Sequence, residues 1–207
     1  VSDDAENQPT FESLLDREFR WPRAGDRPFT QSEKWHDNAY IEPHGHGRMV
    51  MMMTGYKRAA DLMVERSVTD DVDRASLVYP IIFNYRQFIE LSLKYLIATY
   101  GPTVGVQPVW NSHDLGQLWK SLMEVLDGYG HDDVDQTDPV VAEIVAEFAK
   151  VDPKSFSYRY PVDTKGNPIP IAHNELDLTV LADVMEALDG YFSGCDGYLD
   201  ALMTAGP

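Results

Sequence analysis

The sequence predicts an all-α fold, a helical bundle of about five helices with a small β-hairpin inserted before a long C-terminal helix. Three observations carry this expectation. Leu178, Leu181, Met185, Leu188, Phe192, Cys195, Leu199 and Leu202 are spaced alternately three and four apart, a heptad seam sustained along one helix face. The segment from about Arg74 to Tyr100 is apolar on nearly every side, as expected of a helix at the centre of a bundle. Between about 155 and 172 the period drops to two: Phe156, Tyr158 and Tyr160 alternate with Ser157 and Arg159, and Ile169 and Ile171 alternate after the turn Thr164-Lys165-Gly166-Asn167.

Each element has its own local reason. Residues 1–46 hold few periodic apolar positions and many breakers, among them Pro9, Pro22, Pro28 and Pro43. They read as an N-terminal arm packing on a main domain that spans 47–207. Within the arm, Phe11, Leu14, Leu15, Phe19 and Trp21 suit one short helix, and Trp21, Phe29, Trp35 and Tyr40 supply anchors. From Met49 to Arg66, Met49, Met52, Met53, Tyr56, Ala59, Ala60 and Met63 follow helical spacing, with Lys57, Arg58, Asp61 and Glu65 on the opposite side. In the 74–100 helix, Pro80 is expected to start or kink the element, and Gly101-Pro102 to end it.

Asn111 or Ser112 suits the cap of the next helix, whose buried face is Leu115, Leu118, Trp119, Leu122 and Leu126, with Gly128 as its stop. Asp138-Pro139 reads as a cap and first helical residue. Val140, Val141, Ile144, Val145 and Phe148 then form a short amphipathic helix. The hairpin over 155–172 is restricted to edge pairing by Pro161, Pro168 and Pro170. In the last helix Gly190, Gly194 and Gly197 weaken the isolated helix and would let another backbone approach.

Charge and cysteine usage exclude some functions. The formal net charge is −17 with a pI near 4.5, and from Glu175 onward there are seven acids and no Lys or Arg. Such a field disfavours stable non-specific DNA binding. No apolar run approaches the roughly 20 residues of a membrane span, and the acidic first residues do not resemble a secretory signal. The single Cys195 fits a reducing compartment and a buried, unreactive thiol. A cytoplasmic protein is expected.

Four polar features stand out. Arg86, Glu90 and Lys94 are spaced by four on one stripe of the apolar central helix, where ionised residues must be paired. They read either as an ion pair fixing helix register or as part of a site. His113-Asp114 opens the next helix: Asp114 suits the helix dipole, and His113 can exchange a proton near neutral pH. Arg159, between Tyr158 and Tyr160, is placed either to clamp a phosphate or carboxylate or to stack on the surface. His44 and His46, with His36 nearby, lack the spacing of a zinc site, so neither metal nor cofactor is expected.

Tyr79-Pro-Ile-Ile-Phe-Asn-Tyr-Arg-Gln-Phe-Ile-Glu-Leu-Ser-Leu-Lys94 resembles the long second helix of the HEPN superfamily of helical bundles, and Gly55-Tyr-Lys-Arg-Ala-Ala-Asp-Leu62 their first. His113-Asp-Leu115 with Leu118 is similar to the start of a HEPN third helix, and Tyr158-Arg-Tyr-Pro-Val-Asp163 to a segment before the last helix. The resemblance covers roughly 49–202. It implies a homodimer and, for many members, metal-independent RNA cleavage by an Arg four to six residues before a His. This chain has no such Arg; Asn167 and His173 are the nearest fit.

Three functions are compatible with these features. One is a dimeric module that binds a nucleotide, RNA or partner protein through a polar cluster of Arg86, Glu90, His113 and Arg159. In it Arg159 would hold an anionic group, His113 would hydrogen-bond or transfer a proton, and Glu90 would orient Arg86. Another is a metal-independent endoribonuclease of toxin or phage-defence type, with His113 or His173 as acid/base. The third is a bundle whose polar cluster only fixes register and which meets partner proteins through its acidic face or N-terminal arm.

Overall fold

A 30-residue helix, Asp71–Tyr100, organises the chain, because it is the element with apolar side chains on every side. The structure, a computed structural model, describes residues 20–205. Among these residues five α-helices follow in order: α1 Gly45–Ser67, α2 Asp71–Tyr100, α3 Leu115–Gly128, α4 Thr137–Val151 and α5 Leu178–Ala205. Helix α2 packs against α1, α3 and α5; α4 lies on α3, and α1 also touches α5. None of the helices among the described residues is long and apolar enough to cross a membrane.

The chain divides into two units between Tyr40 and Ile41. In the first, the Asn38 side chain accepts from the Ser32 amide and donates to its carbonyl, both at 2.8 Å, closing a segment with one 3-10 turn at Trp35–Asp37. The helix expected over Phe11–Trp21 falls almost wholly outside the described residues.

In the second unit the helices arise where expected, with informative shifts. Helix α1 begins at Gly45, so His46 is helical rather than in coil, and its ring lies 5.3 Å from that of Tyr95. Its buried stripe is Lys57, Ala60, Val64 and Ser67, whereas Met52 is exposed. Lys57 is therefore on the inner face: its amine reaches Glu186 on α5 at 2.6 Å and Asp61 at 3.1 Å. Helix α2 starts before Pro80, because Asp70 caps it by accepting from the amides of Val72 and Asp73. Asp114, not Asn111 or Ser112, caps α3 through the Gln117 amide, while Ser112 accepts from the Asp114 amide. Helix α4 starts at Thr137, so Asp138 sits in its first turn rather than at its cap.

The heptad seam of α5 is spent inside the chain's own core. Leu178, Met185, Leu188, Phe192, Cys195 and Leu199 are buried with α2 and α3 side chains. Phe192 meets Phe88 edge-on at 6.0 Å. Burial pushes the Cys195 thiol up to about 11, which leaves it protonated near neutral pH. Among the described residues no backbone approaches the glycines of α5, against expectation: a Cβ at Gly190, Gly194 or Gly197 would meet nothing within 4 Å. Gly194→Ala is accordingly expected to stabilise the chain by about 0.5–1 kcal/mol, since only the entropy penalty of glycine is removed. An unchanged or lower thermal midpoint would show that something packs there.

The β-hairpin does not form. Among the described residues there is no strand, only one antiparallel bridge between Val162 and Pro168. Local acceptors take the amides a ladder would need. Asp152 Oδ1 accepts from Phe156 and Ser157, the Phe156 carbonyl accepts from Arg159 and Tyr160, and Asp163 holds Lys165 and Asn167. Prolines 161, 168 and 170 contribute no donors. The alternation of aromatics over 156–160 thus reports a turn with one buried ring, Tyr158, and an exposed Tyr160.

Candidate functional site

Arg86, Glu90 and Lys94 lie on successive turns of α2, and the fold brings the segment before α3 and the end of α4 against that stripe. Arg86 is 0% exposed and all three of its nitrogens are committed. Nε donates to the Asp152 carbonyl at 2.8 Å, Nη1 to Glu90 Oε2 at 2.8 Å, and Nη2 to the His113 carbonyl at 2.7 Å. Lys94 Nζ donates to Glu90 Oε1 at 2.8 Å and to the Trp110 carbonyl at 3.2 Å. Burial pushes the Glu90 carboxyl up, but the hydrogen bonds from Lys94 and Arg86 outweigh it and hold the group below its ordinary value.

A fourth charged member, Asp152, was not apparent in the sequence. It is buried at the end of α4; Oδ1 accepts from two amides, while Oδ2 accepts no hydrogen bond and lies 3.8 Å from Arg86 Nε. Two cations and two anions therefore balance inside the bundle. Asp152 follows an amphipathic helix and precedes a proline, so by sequence it looks like a solvent-facing turn residue. Its role depends on a contact with Arg86, 66 positions away.

His113 is at the rim. Its Nδ1 lies 2.9 Å from Glu90 Oε1, and its side chain is 61% exposed. The geometry joins a buried carboxylate to a solvent-facing imidazole, an arrangement that can orient a ring for proton transfer. No groove of those described here, about 330–580 Å³ in volume, is lined by Arg86, Glu90, Lys94 or His113.

The remaining predicted residues lie elsewhere. Arg159 is exposed, with its guanidinium 5.5 Å from the rings of both Phe83 and Tyr160. It lines a groove of about 330 Å³ with Tyr158 and Tyr160, away from the Arg86 cluster. Asp114 serves as the α3 cap. Asn167 is bound to Asp163 through both amide nitrogens, and His173 lines a separate groove, so the two do not form a pair.

Two further polar groups were missed. Lys57, Asp61, Tyr85 and Glu186 link α1, α2 and α5, with the buried Tyr85 hydroxyl donating to Asp61 at 2.9 Å. Among the described residues, His131, Asp133 and Asp138 offer three metal-type donors within 4.8 Å. Those atoms already have work: Asp133 accepts from the Thr137 and Asp138 amides, and Asp138 accepts from the Tyr191 hydroxyl and faces His131 at 3.1 Å. The chain matches no protein-family model, no curated protein and no solved structure.

Proposed function

We propose that this chain is a HEPN-like helical bundle that acts as a protein-interaction module, with the Arg86–Glu90–Lys94–Asp152 network as its internal lock. The observation that carries the reading is the complete burial of Arg86, with every guanidinium nitrogen donating inside the chain. A guanidinium so placed is out of reach of a phosphate in solvent, and its charge is already met by Glu90 and Asp152. The order of the resembling segments supports the HEPN-like organisation. Burial of the α5 seam means that a homodimer would use a different face. With −17 formal charge and an α5 devoid of Lys and Arg, the surface favours a basic partner over a nucleic acid.

One observation favours a second reading. The Glu90–His113 contact leaves Nε2 of an exposed imidazole open to a substrate proton, the arrangement a metal-independent ribonuclease would use. Incubating the protein and its His113→Ala variant with a mixed RNA pool, with and without chelator, separates the two. The interaction reading expects intact RNA in every arm. Chelator-resistant cleavage that disappears in His113→Ala would replace it with the ribonuclease reading.

A further inference from the structure

Helices α4 and α5 are tied by the hydrogen bond from Tyr191 to Asp138, yet they leave between them a groove of about 580 Å³. Its walls are apolar. Val140, Ile144, Phe148 and Val151 run along one face of α4 at helical spacing, and Val180, Leu181 and Val184 face them from α5. Val140 and Val180 remain 56% and 59% exposed. Both line the same groove, so their exposed apolar surface is shared with its walls rather than scattered.

The dimensions and the charge of this groove specify its occupant. From Val140 to Val151 the α4 wall is about 16 Å long at 1.5 Å per residue, room for three turns of a docked helix. Helix-in-groove recognition places apolar anchors of the ligand at i, i+3 or i+4, and i+7 against such a wall. The lining carries three acids, Glu147, Glu175 and Asp177, with His173 beside them and no Lys or Arg. The exposed Asp183 adds to this field beside Val184.

We infer that this groove receives an amphipathic helix of a partner protein, with apolar anchors on one face and Lys or Arg along its flanks. The inference rests on the interaction reading above and names the partner's chemistry. Charge argues against the two nearest alternatives. Residues 1–19 of the chain carry six acids and one base, and a second copy would bring another −17. Both would set like charges together across the rim.

The probe is a labelled helical peptide of about 15 residues, with Leu at i, i+3, i+4 and i+7 and Lys elsewhere, together with a twin in which each Lys is Glu. Fluorescence anisotropy on the full chain is expected to show saturable binding of the basic peptide and none of the acidic twin. Val140→Asn and Val180→Asn, both at exposed positions and neutral so that the rim charge is unchanged, are expected together to weaken binding about tenfold or more without a large change in the thermal midpoint. As a control, Arg58→Asp on the outer face of α1 should leave binding intact. Equal binding of the basic peptide by both groove variants would overturn the groove while leaving an interaction module that binds elsewhere. Binding of the acidic twin would overturn the charge assignment. A dimer in sedimentation that the groove variants dissociate would give the groove to a second copy and overturn the partner-helix inference. His113-dependent RNA cleavage would instead remove the parent reading.

Discussion

Glu90→Ala is expected to destabilise the chain by about 3–5 kcal/mol, a fall of about 6–20 °C in Tm for a protein of this size. Glu90 is the shared acceptor of Arg86 and Lys94, so its removal leaves two buried cations with only Asp152 to balance them. Thermal unfolding of the single variant measures the effect; a loss below about 1 kcal/mol would show that the network behaves as a surface pair. Replacing the whole network with uncharged groups of similar size, Arg86→Met with Glu90→Leu, Lys94→Met and Asp152→Asn, should recover much of that loss, because no charge is then left unpaired.

The same residue sets a pH dependence. Its hydrogen bonds to Lys94 and Arg86 hold the Glu90 carboxyl below the ordinary value despite burial. The native state therefore binds this proton less readily than the unfolded chain, and the stabilisation is fully present above the usual carboxylate pKa of about 4.3. It is lost as pH falls through the native value. The stability advantage of the native protein over Glu90→Gln should be constant near pH 7 and shrink below about pH 4. An advantage that grew on acidification would reverse the sign and discard the assignment.

Asp152→Ala is the second large effect, again about 3–5 kcal/mol, read from urea unfolding midpoints. The substitution removes the acceptor of the Phe156 and Ser157 amides and the second anion beside Arg86. Asp152→Asn should cost less, since Oδ1 keeps its two amides and only the charge is lost. The turn that Asp152 nucleates also carries the buried Tyr158 into the wall of the α4–α5 groove. Asp152→Ala should therefore weaken basic-peptide binding, with Asn restoring it. Equal stability of the Ala and native proteins would deny Asp152 both roles.

The sequence determined the helical architecture. The seam of α5, the all-round apolarity of α2 and the stripe of α3 are periodic patterns, and burying such a stripe is the dominant favourable term available to the chain. It also determined that Arg86, Glu90 and Lys94 form one group, because they share a stripe by i+4 spacing and an apolar helix cannot hold ionised residues unpaired; His113 joins them only through its tertiary contact with Glu90. Tertiary structure alone decided the rest. Asp152 became the fourth buried charge and Lys57 turned inward to Glu186 because each met a partner distant in sequence. Arg159 separated from the cluster because its guanidinium found two aromatic rings nearer. The hairpin gave way to turns because the Asp152 and Asp163 carboxylates capture amides within five residues. A local hydrogen bond of that kind forms with little loss of chain entropy, whereas a ladder between strands interrupted by proline has fewer donors to repay its own.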